Sequence, residues 1–175
     1  MRVLNLFAHA GGYSAAAAVG GAAMTRSVDL DAKWMAKLDP LLAANGIAPD
    51  KDVHDTISGD VFAWIPRLAK RGDLYDLVIL DPPSTSVGKK KKRWSAAKDY
   101  PALVTQAAAL VAPGGLLWTT TNARKILPRQ FARMCAAALP PGSQLIRANP
   151  PAADYPVLDG DSAGVKNLVW QLPEQ

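Results

Sequence analysis

The sequence predicts an α/β chain: a mostly parallel seven-stranded sheet with helices on both faces and a C-terminal antiparallel hairpin. Three observations predict it. Short apolar runs alternate with helical stretches along most of the chain. The apolar runs lack clean period-2 alternation, as expected of strands covered on both faces. The last two runs are separated by a proline-rich loop and not by a helix, which suits a hairpin.

The elements follow in order. Val3–Phe7 is an apolar strand that ends in a loop of small residues. Tyr13–Val19 is Ala-rich and helical, stopped by Gly20-Gly21. Thr25–Leu30 is the second strand, with Asp29 and Asp31 at its end. Lys33–Asn45 reads as one helix with Gly46 as its C-terminal stop. Val53–Ser58 is the third strand, followed by Gly59-Asp60. Phe62–Lys70 is a short helix with a proline inside it. Leu74–Leu80 is the most strand-like run. Tyr100–Val111 is a helix closed by Pro113-Gly114-Gly115, and Leu116–Thr121 is the fifth strand. Pro128–Ala138 is a helix ended by Leu139-Pro140-Pro141-Gly142. Gln144–Arg147 and Asn167–Leu172 are the late strands, and the Pro-rich part from Asn149 to Pro156 is a surface loop.

A chain of 175 residues is long enough for one core and is read as a single domain over 1–175. The formal net charge of +5 favours a polyanionic partner. The one cysteine, Cys135, excludes an internal disulfide framework and fits a reducing, cytoplasmic setting. No apolar run reaches the roughly 18 residues of a membrane span, so no membrane partner is expected, and no metal site is expected either. The start, "MRVLNLFAHAGGYSAAAAVGGAAM", has the charge and small residues of a secretory leader. Asn5, His9 and Gly11-Gly12 break up its apolar stretch, and it reads instead as strand and loop.

In an open sheet of this kind ligands bind outside the carboxyl ends of the strands. After strand one come Ala8, His9, Ala10, Gly11, Gly12, Tyr13 and Ser14. Asp29 follows strand two, Asp60 strand three, Asp81-Pro82-Pro83 strand four, and Thr121-Asn122 strand five. The first loop is neither G-x-G-x-x-G nor a Walker A sequence. Its small residues still let a ligand approach the backbone. The acid at Asp29, some 20 residues on, is where a carboxylate can accept both ribose hydroxyls. Together these suit an adenosine ligand without a pyrophosphate, and S-adenosyl-L-methionine is the obvious candidate. Singly, Gly11-Gly12 is equally a plain turn, and Asp29 or Asp60 equally a helix N-cap. Their joint placement is what points to a ligand.

Asp81-Pro82-Pro83 is sharper. Proline cannot supply a ladder hydrogen bond, so the strand stops here, and the residue before each proline is held extended. A stiff turn then presents a carboxylate and carbonyls able to accept from a nucleobase amino group. Just beyond lies the run Lys89, Lys90, Lys91, Lys92, Arg93, followed by Trp94. A bare Lys run is as often a solvated loop. Its place beside the turn favours phosphate contacts. Trp94 suits base stacking or core packing equally. Arg124 and Lys125, after strand five, extend the basic set, with Lys98 and Arg129 beyond them.

The segments "VLNLFAHAGGYSAAAAVGGA…SVDLD", "GDVFAWI", "YDLVILDPPSTS", "LVAPGGLLWTTTN" and "ADYPVLDGDSAGVKNLVW" resemble the class I S-adenosylmethionine-dependent rRNA methyltransferases. The nearest kin are bacterial enzymes that modify large-subunit rRNA at cytosine C5 or guanine N7. The resemblance covers nearly the whole chain and implies the Rossmann-like class I methyltransferase fold. It implies cofactor contacts at Phe7, Ala8, His9, Ala10, Gly11, Gly12, Asp29, Leu30, Gly59, Asp60, Val61 and Asp81. The loop Ala8–Gly12 would hold the methionine part, Asp29 the ribose and Asp60 the adenine amino group. Asp81, Pro82 and Pro83 would sit beside the transferred methyl group.

Two departures from the family pattern matter. The cytosine-C5 branch carries a cysteine nucleophile just after strand five, where this chain reads Thr119-Thr120-Thr121-Asn122. Cys135 lies inside the next helix, where a free cysteine is usually a small buried hydrophobe. Nitrogen methylation, which needs in-line placement and no covalent adduct, therefore fits better. The family's N-terminal accessory or RNA-binding region is also absent from this stretch. Three readings stay open: an rRNA methyltransferase acting at a base nitrogen such as guanine N7, a non-catalytic RNA-binding relative, and a small-molecule methyltransferase.

Overall fold

The computed structural model describes residues 1–87, 93–149 and 164–174. In chain order the elements are β1 (Arg2–Leu6), α1 (Gly12–Val19), β2 (Met24–Asp29), α2 (Ala32–Met35), α3 (Leu38–Ala44), β3 (His54–Ser58), α4 (Val61–Lys70) and β4 (Tyr75–Leu80). They continue with β5 (Thr85–Val87), β6 (Arg93–Ser95), α5 (Ala96–Ala108), β7 (Val111–Thr121), α6 (Pro128–Ala138), β8 (Gln144–Asn149) and β9 (Lys166–Gln171).

Seven strands form one sheet in the order β3-β2-β1-β4-β7-β9-β8. The pairs from β3 through β7 are parallel, and β9 runs antiparallel to both β7 and β8. The chain order therefore reverses at the β1/β4 boundary, the place where a crevice opens in such sheets. β1 lies inside the sheet, and Val3, Leu4, Asn5 and Leu6 are all buried, which explains why its residues do not alternate between apolar and exposed polar.

The main core lies where α4, α5 and α6 pack on the sheet, through Leu4, Leu6, Ile65, Leu68, Leu80, Tyr100, Val104 and Phe131. A smaller cluster of Ala15, Ala18, Leu38 and Leu42 joins α1 to α3. Polar bonds fix α1 on its side: Asn5 Nδ2 donates to Ser14 Oγ at 3.1 Å, and Ser14 Oγ meets Ser27 Oγ at 2.6 Å. Arg26 clamps the β3 side, bonding Asp55, Asp73 and the Tyr75 hydroxyl.

The structure departs from the sequence reading in three places. The expected helix Lys33–Asn45 is two short helices, α2 and α3. A continuous helix would set the Pro40 ring against the Ala36 carbonyl with no N–H to offer it, so the chain breaks before Leu38. The expected helix Tyr100–Val111 starts at Ala96 and stops at Ala108. Pro101 does not open it as proline usually does. It sits in the second turn, and the helix start is held by the Ser95 N–H donating to Asp99 Oδ2 at 2.8 Å. Val111 pairs with Tyr75, so β7 begins there, and a register shift around Pro113–Gly115 brings Leu116 opposite Leu77. Finally, the stretch after Asp81-Pro82-Pro83 is not all loop. β5 and β6 form a two-stranded antiparallel ribbon with Ser86 opposite Trp94.

Candidate active site

The carboxyl ends of β1, β2, β3, β4 and β7 open on a single cleft of about 740 Å3. Phe7 and His9 reach it after β1, Asp29 and Leu30 after β2, and Asp60, Val61 and Phe62 from the start of α4. Asp81, Pro82 and Pro83 follow β4, Ser86 and Trp94 come from the ribbon, and Asn122 follows β7. Asp99, Ala102, Leu103 and Gln106 complete the wall from α5. The acids expected at successive strand ends thus converge on one cavity.

The loop after β1 alternates in backbone hand. Phe7, His9 and Gly11 have φ of 62°, 51° and 81°, while Ala8, Ala10 and Gly12 between them have no positive φ. Such alternation turns successive N–H groups into a concavity suited to an anion. The Ala8 N–H donates to the Val28 carbonyl at 3.1 Å, and the Gly11 N–H to the Ala8 carbonyl at 2.8 Å. The His9 N–H donates to Asp29 Oδ2 at 2.8 Å. Gly11 is required here, because its φ is left-handed and a Cβ would stand 2.7 Å from Leu38 Cδ1. Ala8 and Gly11 are buried under the loop, and neither they nor Ala10 and Gly12 line the cleft. They shape the loop and leave the wall to Phe7 and His9.

Asp29 is not a helix cap. Its Oδ2 takes the His9 N–H and its Oδ1 takes the Asp31 N–H at 3.0 Å. Each carboxylate oxygen keeps a second lone pair for a ligand hydroxyl. Asp31 is the cap of α2, accepting from the Lys33 N–H at 2.8 Å. Asp60 does cap a helix: its Oδ1 accepts from the Phe62 N–H at 3.0 Å at the start of α4. Its Oδ2 takes no bond from the described residues. Gly59 stays off the wall, donating its N–H to the Asp29 carbonyl at 2.7 Å. The His9 and Trp34 rings stack at 3.9 Å beside this end of the cleft.

Burial raises the Asp81 carboxyl above its ordinary range. Tyr13, half-buried, is raised by its own burial and then by the nearby Asp81 charge. Below them Tyr100 is fully buried, and its hydroxyl donates to the Thr120 carbonyl at 2.8 Å and reaches the Leu80 carbonyl at 3.4 Å. That bridge ties the ends of β4 and β7. Ser84 Oγ donates to Asn122 Oδ1 at 2.6 Å, binding the turn after β4 to the end of β7 a second time. Tyr13 meets Trp118 edge-on at 5.2 Å. Trp118 Nε1 and Thr120 Oγ1, buried on the same face of β7, have no hydrogen-bond partner among the described residues.

Of the two readings open for Trp94, the structure shows core packing. It is buried, and its indole N–H donates to the Pro83 carbonyl at 2.9 Å. Its ring packs 5.2 Å from Phe62 and 6.4 Å from Tyr100. The Pro83 carbonyl is therefore occupied from inside, and Trp94 is a wall of the cleft and not an exposed stacking plate. Lys89–Lys92 lie outside the described residues, and Arg93 opens β6. Arg124 and Lys125 are exposed just past β7, beyond Asn122. The sequence reading missed Phe62, Ser86 and the α5 wall. Residues 99, 102, 103 and 106 have the i, i+3, i+4, i+7 spacing of one helix face, which was the available signal.

A family profile described as S-adenosylmethionine-dependent methyltransferase matches residues 1–171. The chain belongs to this family. It is 38% identical over 136 residues to YwbD of Bacillus subtilis, provisionally assigned as a ribosomal RNA large subunit methyltransferase, covering 78% of this chain and 34% of that protein. It is 35% identical over 139 residues to a ribosomal RNA large subunit methyltransferase of Deinococcus radiodurans, covering 79% of this chain and 33% of the relative. Among solved structures, SMU.776 complexed with SAH superposes with a TM-score of 0.89 at 29% identity, over 98% of this chain and 45% of that one. An S-adenosylmethionine-dependent methyltransferase from Agrobacterium tumefaciens shares the fold, with a TM-score of 0.74 at 21% identity over all of this chain and 56% of that one. The chain thus spans about a third of the length of these two curated relatives.

The residues of the cleft fit S-adenosylmethionine. Asp29 keeps free lone pairs for hydroxyls, and Asp60 Oδ2 is open to an amino group. Phe7, Val61, Phe62, Trp94 and Leu103 supply apolar walls for a flat ring. The loop after β1 borders the cleft through Phe7 and His9, with its Ala8, His9 and Gly11 N–H groups already bonded within the protein.

Proposed function

We propose that this chain is the catalytic part of an S-adenosylmethionine-dependent methyltransferase that modifies large-subunit rRNA at a base nitrogen, as at guanine N7. The observation that carries the reading is the Asp81-Pro82-Pro83 turn in the cleft wall with no thiol beside it. Cys135 is fully buried, its thiol 3.7 Å from Thr119 Oγ1, and burial pushes it up to about 12.

Bound S-adenosylmethionine supplies an electrophilic methyl group. Asp29 and Asp60 hold the nucleoside half, and the loop from Ala8 to Gly12 holds the amino-acid half. Asp81 and the Pro82 carbonyl orient the base so that a ring-nitrogen lone pair lies in line with the methyl carbon. The bound cofactor would supply its methyl group to that lone pair, with the S–C bonding pair left on sulfur. The base gains positive charge, which the Asp81 carboxylate opposes in a partly desolvated site. Orientation of this kind is worth about 7–11 kcal/mol at its best. Lys89–Lys92, Arg93, Arg124 and Lys125 hold the RNA backbone.

The test is labelled-methyl transfer to unmodified large-subunit rRNA, followed by nucleoside analysis of the product. Label in a nitrogen-methylated guanosine supports the reading. Binding of RNA without transfer favours a non-catalytic relative. Turnover on small molecules that survives replacement of Lys89–Lys92 by Ser favours a small-molecule enzyme.

A further inference from the structure

Helix α4 carries a feature that the cleft does not use. Trp64 and Arg67 of the helix and Arg71 at its C-terminal cap fall at i, i+3 and i+7, on one face. The two guanidinium carbons lie 5.1 and 5.8 Å from the centroid of the Trp64 ring. Side chains on a helix lean toward its N-terminus, so both cations are drawn toward the start of α4. That start is the cleft end, where Asp60 caps the helix and lines the cavity. The indole itself lies against Gly59, where an added Cβ would stand 2.7 Å from Trp64 Cδ1.

Arg67 and Arg71 are exposed. Among the described residues neither makes an ion pair, and both ion pairs found there belong to Arg26, which takes Asp55 and Asp73. Two unneutralised cations are thus held on an aromatic plate on the exposed face of α4, whose first turn borders the cleft. Guanidinium groups bind phosphate through paired hydrogen bonds and also stack on bases. An acidic peptide would meet the charge and leave the stacking planes without a partner. We propose that Arg67 and Arg71, arrayed on Trp64, form an RNA contact that holds a single strand on the exposed face of α4, beside the cleft. This rests on the RNA substrate proposed above.

The test is a fluorescence-anisotropy titration of labelled oligouridylate from about 50 to 200 mM salt. It compares the wild type, Arg67→Gln/Arg71→Gln, and a charge-matched control, Lys51→Gln/Arg133→Gln. Each single-strand phosphate contact contributes about 0.7 to the log–log salt slope, so the arginine variant should lose about 1.4. Its affinity should then change about sevenfold less than that of the wild type across this range. The control should keep the wild-type slope, and all three should bind S-adenosylmethionine equally. An unchanged slope in the arginine variant, an equal loss in the control, or equally strong competition by polyglutamate overturns the inference. A wild type that binds no RNA overturns both this inference and the reading beneath it. A wild type that binds with an unaffected variant overturns this inference alone.

Discussion

The indole N–H of Trp94 donates to the Pro83 carbonyl at 2.9 Å, so the ribbon beyond the turn reaches back and holds it. Two prolines stiffen the turn along the chain, and Trp94 fixes it from the side. Trp94→Phe keeps most of the ring contact with Phe62 and Tyr100 and removes this bond. The expected cost is about 1 kcal/mol, or a fall of about 2–4 °C in melting temperature. Methyl transfer should fall further, by about tenfold, because a loosened turn misplaces the acceptor. Calorimetry and a single-turnover assay measure the two effects. Wild-type turnover in a variant that melts lower would mean that the bond serves stability alone.

Asp29 organises the loop after β1 by accepting the His9 and Asp31 N–H groups on its two oxygens. Asp29→Asn keeps the shape and turns one acceptor into an NH2 group facing an N–H. Bonds to a charged acceptor are worth about 1.5–3 kcal/mol, so cofactor affinity should fall about ten- to hundredfold. Titration calorimetry reads the change, and circular dichroism should show an unaltered fold. Undiminished affinity would remove Asp29 from the cofactor site.

Gly11 and Gly12 look alike in sequence and differ in space. Gly11 has a φ of 81° and Leu38 Cδ1 within 2.7 Å of a would-be Cβ, whereas Gly12 has open space around it. Gly11→Ala should destabilise the fold by about 1–3 kcal/mol. Gly12→Ala should leave chemical denaturation unchanged and still weaken cofactor binding, by about tenfold or more, if a ligand approaches the loop there. Normal cofactor binding by Gly12→Ala would place the ligand elsewhere.

Asp81 gives a pH signature of defined sign. Burial raises its folded pKa above the unfolded value near 3.9. Below both values each state is protonated. As pH rises between them the unfolded chain gives up its proton first, so the Asp81 contribution to stability is lost through that window. Asp81→Asn removes this slope. In urea titrations at pH 7 the variant should be more stable than the wild type, and methyl transfer should fall by about a hundredfold. A variant that is less stable at neutral pH and equal to the wild type at low pH would reverse the sign.

The sheet was legible because its evidence is local. Apolar runs bounded by Gly, Pro and Asp mark strand ends whatever the partners, and those ends carried Asp29, Asp60 and Asp81 to one cleft. What escaped depended on contacts remote in sequence. No local rule reveals that the Trp94 indole turns inward to Pro83, or that the helix after the ribbon starts at Ala96 despite Pro101. That misplaced start hid Asp99, and with it the α5 face that walls the site. Asp29 and Asp60 read alike as caps or ligands. Only the structure separates them, seating Asp29 on the loop and Asp60 on α4.

Cys135 tests the choice of nitrogen over carbon. Its thiol is fully buried, and burial pushes it up to about 12, against a weaker opposing effect of the Thr119 hydroxyl. At pH 8 only about one molecule in ten thousand would carry a thiolate. The folded protein should therefore resist alkylation by iodoacetamide at pH 8 and react once unfolded in urea. Cys135→Ala removes a small buried group and should cost about 1 kcal/mol of stability. Methyl transfer should remain within about twofold of wild type, because a nucleophile must be both ionised and within reach of the base. A loss of transfer beyond tenfold in a folded variant, or a trapped protein–RNA adduct that depends on Cys135, would restore covalent carbon chemistry.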